Sequence, residues 1–168
     1  AAEQGYADAQ NKLGSCYFNG QGVDWDRKQA VYWYEKAAEQ GHAAAQKSLQ
    51  ECYFNDWGVE KDIERGVYWC KKAAEQGHIG AQKDLGMIYL IGQKVKKDLK
   101  QAAYWFEKAA EQDDAEAQVW LAERYQEGTG VEQDLKQAAY WYEKAAKQDY
   151  QFAQQELGIL YANGDGVE

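Results

Sequence analysis

Two patterns of apolar and polar positions alternate along the chain. In the first, Ala9, Leu13, Cys16 and Tyr17 fall at i, i+4, i+7 and i+8, which is one side of a helix, here helix A. In the second, Ala30, Trp33, Tyr34, Ala37 and Ala38 share a face while Glu35 and Lys36 turn away, which predicts a second helix, helix B. Both patterns return every 36 residues without insertion: Leu13, Leu49, Leu85, Leu121 and Leu157 keep step with Tyr17, Tyr53, Tyr89, Tyr125 and Tyr161 and with Trp33, Trp69, Trp105 and Trp141. Lys-Ala-Ala-Glu-Gln begins at Lys36, Lys72 and Lys108, and Lys-Ala-Ala-Lys-Gln at Lys144.

The residues between these patterns supply stops and starts. Gly20-Gln21-Gly22-Val23 ends helix A, because glycine accepts the left-handed backbone that closes a helix. Asp26 reads as the N-cap of helix B, with Gln29 as its reciprocal partner in a capping box, and Asp98 with Gln101 and Asp134 with Gln137 repeat the pair. Gly41 and Gly77 end helix B; Asp113 and Asp149 stand at the equivalent places later and predict ends that fray or turn differently. One hairpin is too small to bury its own Trp and Tyr, so neighbouring units must stack on a shared core, giving an all-α solenoid of helix-turn-helix repeats. The units fall near 6–41, 42–77, 78–113 and 114–149, with partial units at 1–5 and 150–168, and the array reads as a fragment of a longer protein.

The string Leu13-Gly14, Tyr17, Gly20-x-Gly22-Val23, Asp26, Ala30, Trp33-Tyr34, Lys36-Ala37-Ala38 resembles the Sel1-like repeat, a relative of tetratricopeptide arrays. The resemblance covers the whole chain and implies a right-handed α/α superhelix used as a protein-binding adaptor. Bacterial members act in envelope biology or host contact, which favours periplasm or secretion, and eukaryotic relatives act in lumenal quality control. The second unit departs from the pattern at Gln50, Asp56 and Gly66, and the third at Lys94, which bears on the local twist. Cysteine-rich members pair a Cys near the end of helix B with one early in the next helix A. Here those places hold alanines such as Ala38 and Ala45, so that disulfide ladder is not implied.

Composition narrows the function classes. The 168 residues contain no proline, and Ala, Glu, Gln and Lys are abundant, all of which favours helix. A net charge of -9 argues against nucleic acid, whose backbone is held mainly by clustered Lys and Arg, and against anionic lipid. No stretch approaches the roughly 20 apolar residues of a membrane-spanning helix, so membrane insertion is not expected.

Candidate chemistry is sparse. Cys16 and Cys52 are repeat equivalents, and an interaxial spacing of about 8 to 10 Å exceeds the Cα separation a disulfide tolerates. With Cys70 they read as three buried free thiols. His42 and His78 follow a helix-ending glycine and read as solvent-facing turn residues, since nothing supplies the further ligands a zinc ion needs. Ser15, Ser48 and Thr129 lack a base at a useful spacing, and the two-glycine turns lack the preceding strand of a nucleotide-binding loop. The chain therefore reads as no enzyme, with no catalytic, cofactor-binding or metal-ligating residue and no cofactor.

The expected function is protein or peptide binding in a concave groove lined by helix A. At about 100° per residue, the positions equivalent to 8, 11, 15, 18 and 19 lie opposite the Leu13 and Tyr17 side. There the repeats disagree: Asn11, Lys47, Lys83, Val119 and Gln155 form one column, and Ser15, Glu51, Met87, Glu123 and Ile159 another. A third column runs Phe18, Phe54, Leu90 and then Gln126; with Met87, Ile91 and Asn55 alongside, it predicts an apolar strip suited to a peptide or helix. The competing reading is that Phe18 and Phe54 pack on the following turn. Tyr32, Tyr68, Tyr104 and Tyr140 form a second candidate row, pointing away from the Trp33 side of helix B: amphipathic tyrosines favour interfaces, but stacking on the adjacent helix B is the favoured expectation, and Trp120 borders core and groove. The alternative function is a self-associating structural array joined through uncapped ends, and a hydrolase of unknown substrate stands a distant third.

Overall fold

The computed structural model describes residues 1–165; the last turn residues of the sequence pattern, Gly166, Val167 and Glu168, lie outside them. Nine helices and no strand occur among the described residues: α1 (Ala7–Asn19), α2 (Arg27–Glu39), α3 (Ala43–Asn55), α4 (Ile63–Glu75), α5 (Ile79–Ile91), α6 (Leu99–Ala110), α7 (Ala115–Glu127), α8 (Leu135–Ala146) and α9 (Gln151–Asn163). Odd-numbered helices are the expected helix A and even-numbered ones helix B. The chain divides into two compact units, residues 1–81 and 82 onward.

In the first unit the core joins Ala30, Tyr34, Ala37 and Ala38 of α2 to Ala45, Leu49, Cys52 and Tyr53 of α3. In the second, Trp105, Phe106 and the alanines of α6, Leu121 and Ala122 of α7, and Trp141 and Tyr142 of α8 are buried in the same combination of alanine and aromatic ring, with α7 packed against both α6 and α8. Alanines let the backbones approach, and the rings fill the remaining volume.

Helix ends follow the expected chemistry with two differences. The carboxylates of Asp26, Asp62, Asp98 and Asp134 accept backbone N–H groups at the starts of α2, α4, α6 and α8. The reciprocal half of the capping box is absent. The N–H groups of Asp26, Asp98 and Asp134 donate instead to the carbonyls of Tyr17, Tyr89 and Tyr125, so the preceding helix A already satisfies the donor that Gln29, Gln101 or Gln137 would have met. Before Asp113 and Asp149 helix B stops one residue earlier in the repeat, at Ala110 and Ala146 rather than at the places of Glu39 and Glu75, but the turn itself keeps the left-handed backbone of Gly41 and Gly77. The aspartate φ angles of 62° and 60° share the left-handed region with 86° and 85°, and aspartate tolerates that region better than most residues.

The histidines differ from expectation too. His42 and His78 are half-buried N-caps, each accepting a backbone N–H at Nδ1, from Ala45 and Ala81 at 3.2 Å, and His42 Nε2 lies 3.0 Å from Asp8. An imidazole at the residue just before the first helical turn reaches its orphan donors as a serine or aspartate would. Asp114 does the same for Ala117 at 2.9 Å.

Departures in the second repeat are matched in size. A Cβ on Gly14 would lie 2.7 Å from the Tyr34 ring, and one on Gly86 would collide with Phe106. Where Gln50 replaces that glycine, Cys70 replaces the aromatic residue, and both are buried. Gly66 likewise stands where other repeats have alanine, and the Phe54 ring occupies the space its methyl would need. Gly58, at φ 76°, lets its turn abut the carbonyl of Arg27, which a side chain there would strike. Lys94, at the equivalent position, stays outside the left-handed region.

Candidate functional site

In the first unit α1 carries Asn11, Ser15 and Phe18, and α3 carries Lys47, Glu51, Phe54 and Asn55. Glu51 and Asn55 are exposed and the other five half-buried. Ser15 Oγ donates to the Asn11 carbonyl at 3.1 Å and accepts from the Tyr34 hydroxyl at 3.3 Å. Tyr34 belongs to α2, so its ring crosses the core and its hydroxyl emerges on the helix A face; burial raises its pKa. Lys47 pairs with Glu51, and Asn55 Nδ2 donates to the Glu51 carbonyl at 2.9 Å. Phe18 packs edge-on against Trp57 of the following turn, with centroids 5.5 Å apart, and Phe54 covers Gly66. Both rings therefore have packing roles, and both keep part of their surface open.

In the second unit α5 carries Lys83, Met87, Leu90 and Ile91, and α7 carries Val119, Glu123 and Gln126. Ile91 is 51% exposed, and Met87, Leu90, Lys83, Glu123 and Gln126 are half-buried. Val119 is not a surface residue: at 4% exposure it is enclosed, as a β-branched apolar side chain would be, at a column position that elsewhere holds Asn, Lys or Gln. Lys83 is tied to Asp114 at 3.1 Å and Glu116 at 2.7 Å and stands 5.9 Å from the centre of the Trp120 ring, which also tilts against Phe106 at 5.2 Å. Burial pulls the Lys83 pKa down, but the two carboxylates outweigh it and the net shift is upward. Glu123 is raised mainly by burial, against the pull of Arg124. The Tyr142 hydroxyl donates to Gln126 at 2.8 Å, as Tyr34 does to Ser15.

Several functional side chains escaped the sequence reading. Arg27 holds its guanidinium carbon 5.6, 5.0 and 5.3 Å from the ring centres of Phe18, Trp25 and Trp57. Arg124, 8% exposed, sits where Cys16, Cys52, Ile88 and Leu160 sit, and reaches Glu127 at 3.2 Å and Glu123 at 3.6 Å. The signal for both was an arginine in an otherwise apolar column. A third omission is a ladder of glutamines: Gln40, Gln76, Gln112 and Gln148 donate to Gln10, Gln46, Gln82 and Gln118 at 2.6 to 2.9 Å. Its mark in the sequence is the last residue of each Lys-Ala-Ala-x-Gln string.

The helix B row Tyr32, Tyr68, Tyr104 and Tyr140 is 45 to 53% exposed. Among the described residues the aromatic partner of each ring, met edge-on, is the next residue of its own helix, Trp33, Trp69, Trp105 or Trp141, rather than a ring of the adjacent helix B. Lys36, Lys72, Lys108 and Lys144 lie 5.3 to 5.8 Å over them. Among the cysteines, Cys52 and Cys70 are buried, but Cys16 is only half-buried; none of the three is joined in a disulfide. Burial pushes the Cys52 thiol up to about 12, which keeps it protonated and unreactive at neutral pH. Among the described residues no three of His, Cys, Asp and Glu converge as metal ligands, and no helix is long and apolar enough to cross a membrane.

The model of the Sel1 repeat matches residues 7–42, 43–78, 79–114, 115–150 and 151–168. The chain belongs to the Sel1 repeat family. Sel1 repeat proteins are all-α solenoids that generally serve as protein-interaction scaffolds and are typically not enzymes. Among solved structures, c5321, a protective antigen present in uropathogenic Escherichia coli strains displaying an SLR fold, is 42% identical with a TM-score of 0.92 over 99% of this chain. A Sel1 repeat protein from Oxalobacter formigenes is 40% identical, with a TM-score of 0.90 over 95% of the chain. The cysteine rich protein B of Helicobacter pylori is 30% identical, with a TM-score of 0.61 over 82% of this chain and 99% of its own. The present chain spans 36% of c5321 and 46% of the Oxalobacter protein. No curated protein is matched by the chain.

Proposed function

We propose that this Sel1 repeat array binds a protein or peptide through the helix A face. The observation that supports the reading is the contrast between columns: Leu49, Leu85 and Leu121 repeat one buried residue, while the outward columns vary in side chain along the array and, Val119 apart, stay at least partly open to solvent. A surface whose chemistry varies along a constant scaffold suits recognition of a particular partner. In the first unit Phe18 and Phe54 supply apolar surface beside Glu51 and Asn55; in the second Met87, Leu90 and Ile91 do so beside Lys83.

The test is capture of a partner by the immobilised chain, with helicity followed in parallel. Phe54→Ala, Leu90→Ala and especially Ile91→Lys weaken capture while helicity stays intact, whereas Tyr104→Ala on helix B leaves capture unchanged. Loss through Tyr104→Ala with Ile91→Lys unaffected moves the site to helix B and overturns the reading. A second reading, self-association, draws on α9, where Phe152, Ile159 and Tyr161 are 43 to 47% exposed. It requires a particle size that grows with concentration in light scattering and shrinks when α9 is covered by an added capping repeat.

A further inference from the structure

Arg27 breaks the pattern of the array in three connected ways. Its column otherwise holds Ile63, Leu99 and Leu135. Trp25 stands where the other repeats have Lys61, Lys97 and Gln133, and Trp57 stands where they have Gln21, Gln93 and Thr129. The two tryptophans converge with Phe18 on the guanidinium of the third exception, Arg27, with all three ring centres within 5.6 Å of its carbon. Trp25 is 60% exposed, an expensive placement for an indole that serves packing alone.

The electrostatics of Arg27 are as unusual as its surroundings. Arg65 and Arg124 each have a carboxylate within 4 Å, at Asp62 and at Glu123 and Glu127. Among the described residues no carboxylate lies within 4 Å of Arg27, in a chain of net charge -9, and its Nε is buried without a hydrogen-bond partner. Aromatic rings attract the cation but give its N–H fork no strong acceptor. A planar anion at the edge of the fork would accept two parallel hydrogen bonds, and the surrounding rings would exclude water and strengthen them.

We infer that Arg27, framed by Phe18, Trp25 and Trp57, is a socket for a carboxylate carried by a partner peptide. The inference deepens the reading of the helix A face, on which it rests through Phe18, and gives the partner a chemistry: an acidic group next to an apolar side chain that extends the ring cluster. The overall negative charge of the chain makes such a carboxylate unwelcome elsewhere, so the socket fixes where along the array the acidic residue sits.

The experiment is NMR titration of the full chain, reading the indole N–H signals of Trp25 and Trp57 and the Arg27 Nε–H. Three hexapeptides of known composition are used: Leu and Glu alternating with an amidated end, Leu and Gln alternating with a free C-terminal carboxylate, and the same Leu-Gln peptide amidated. At least one carboxylate peptide shifts the three signals saturably and the uncharged control does not; which one responds tells side-chain from terminal carboxylate. Arg27→Leu, the residue found at Leu99 and Leu135, weakens that binding at least about tenfold, equivalent to about 1.4 kcal/mol. Trp25→Ala weakens it with the fold intact and keeps the test decisive should Arg27→Leu unfold the chain. Equal shifts with all three peptides, or Arg27→Leu binding within twofold of the wild type, overturn the socket. Loss of partner capture through Ile91→Lys is a separate readout, so either reading can fall without the other.

Discussion

Gln46 shows how much of the stacking is polar. It is 3% exposed, donates Nε2 to the Ala38 carbonyl of α2 at 3.1 Å and accepts from Gln76 of α4 at 2.6 Å. One side chain therefore ties a helix A to the helix B before it and the helix B after it. Gln46→Ala removes both bonds and leaves the Ala38 carbonyl with the Gly41 N–H as its remaining partner, so at about 0.5 to 1.5 kcal/mol for each bond urea denaturation should show a loss of about 1 to 3 kcal/mol. A loss within error would mean that the ladder follows from the packing and does not contribute to it. Glu123 carries the opposite kind of polar burden. Its folded pKa lies above the unfolded value because burial disfavours the charge, so between the two values the native state binds more protons. Its contribution to stability falls as pH rises through that window. Glu123→Gln should thus raise the melting temperature at pH 7, and the gain should shrink as pH drops through the carboxylate range; a gain constant with pH would assign the effect to packing.

At the scale of the helix pair, the exchange of large and small residues in the second repeat is the informative feature. Tyr34 packs on Gly14 and Phe106 on Gly86, whereas Gln50 is paired in register with Cys70. Cys70→Tyr alone brings a ring toward a place already filled by Gln50 and should destabilise by about 1 to 3 kcal/mol. Adding Gln50→Gly restores the glycine and aromatic combination of the neighbouring repeats and should recover most of that loss; additive effects in the double-mutant cycle would refute the coupling. Periodicity and glycine spacing made the helices legible, since a period of 3.6 and a left-handed stop are local properties. The partners of the caps were not, because the Tyr17 carbonyl that takes the Asp26 N–H, and the ring system that takes Arg27, depend on which helix lies alongside. Val119 was misplaced for a related reason: helical angle gives the direction of a side chain but not what covers it.

At the scale of the whole array the repeat was legible at once, since thirty-six residues of strict spacing leave little else to build than stacked hairpins. What stacking does to stability from unit to unit is a further consequence, because in such arrays each helix draws on its immediate neighbours and on little else. Within the second unit the contrast is sharp. The seventh helix, α7, packs against both α6 and α8 and buries Ala117, Gln118, Val119, Leu121, Ala122 and Arg124. By comparison α9 packs on α8, buries only Ala153 and Leu160, and leaves Phe152, Ile159 and Tyr161 exposed. Its backbone hydrogen bonds are the same in kind, so the difference lies in the apolar surface that must be exposed to open them. Native-state hydrogen exchange on this chain should therefore find the central amides of α9 opening on the order of tenfold or more faster than those of α7. Uniform protection across both helices would mean that the unit unfolds as one cooperative block, and that neighbour-by-neighbour stacking does not set its stability.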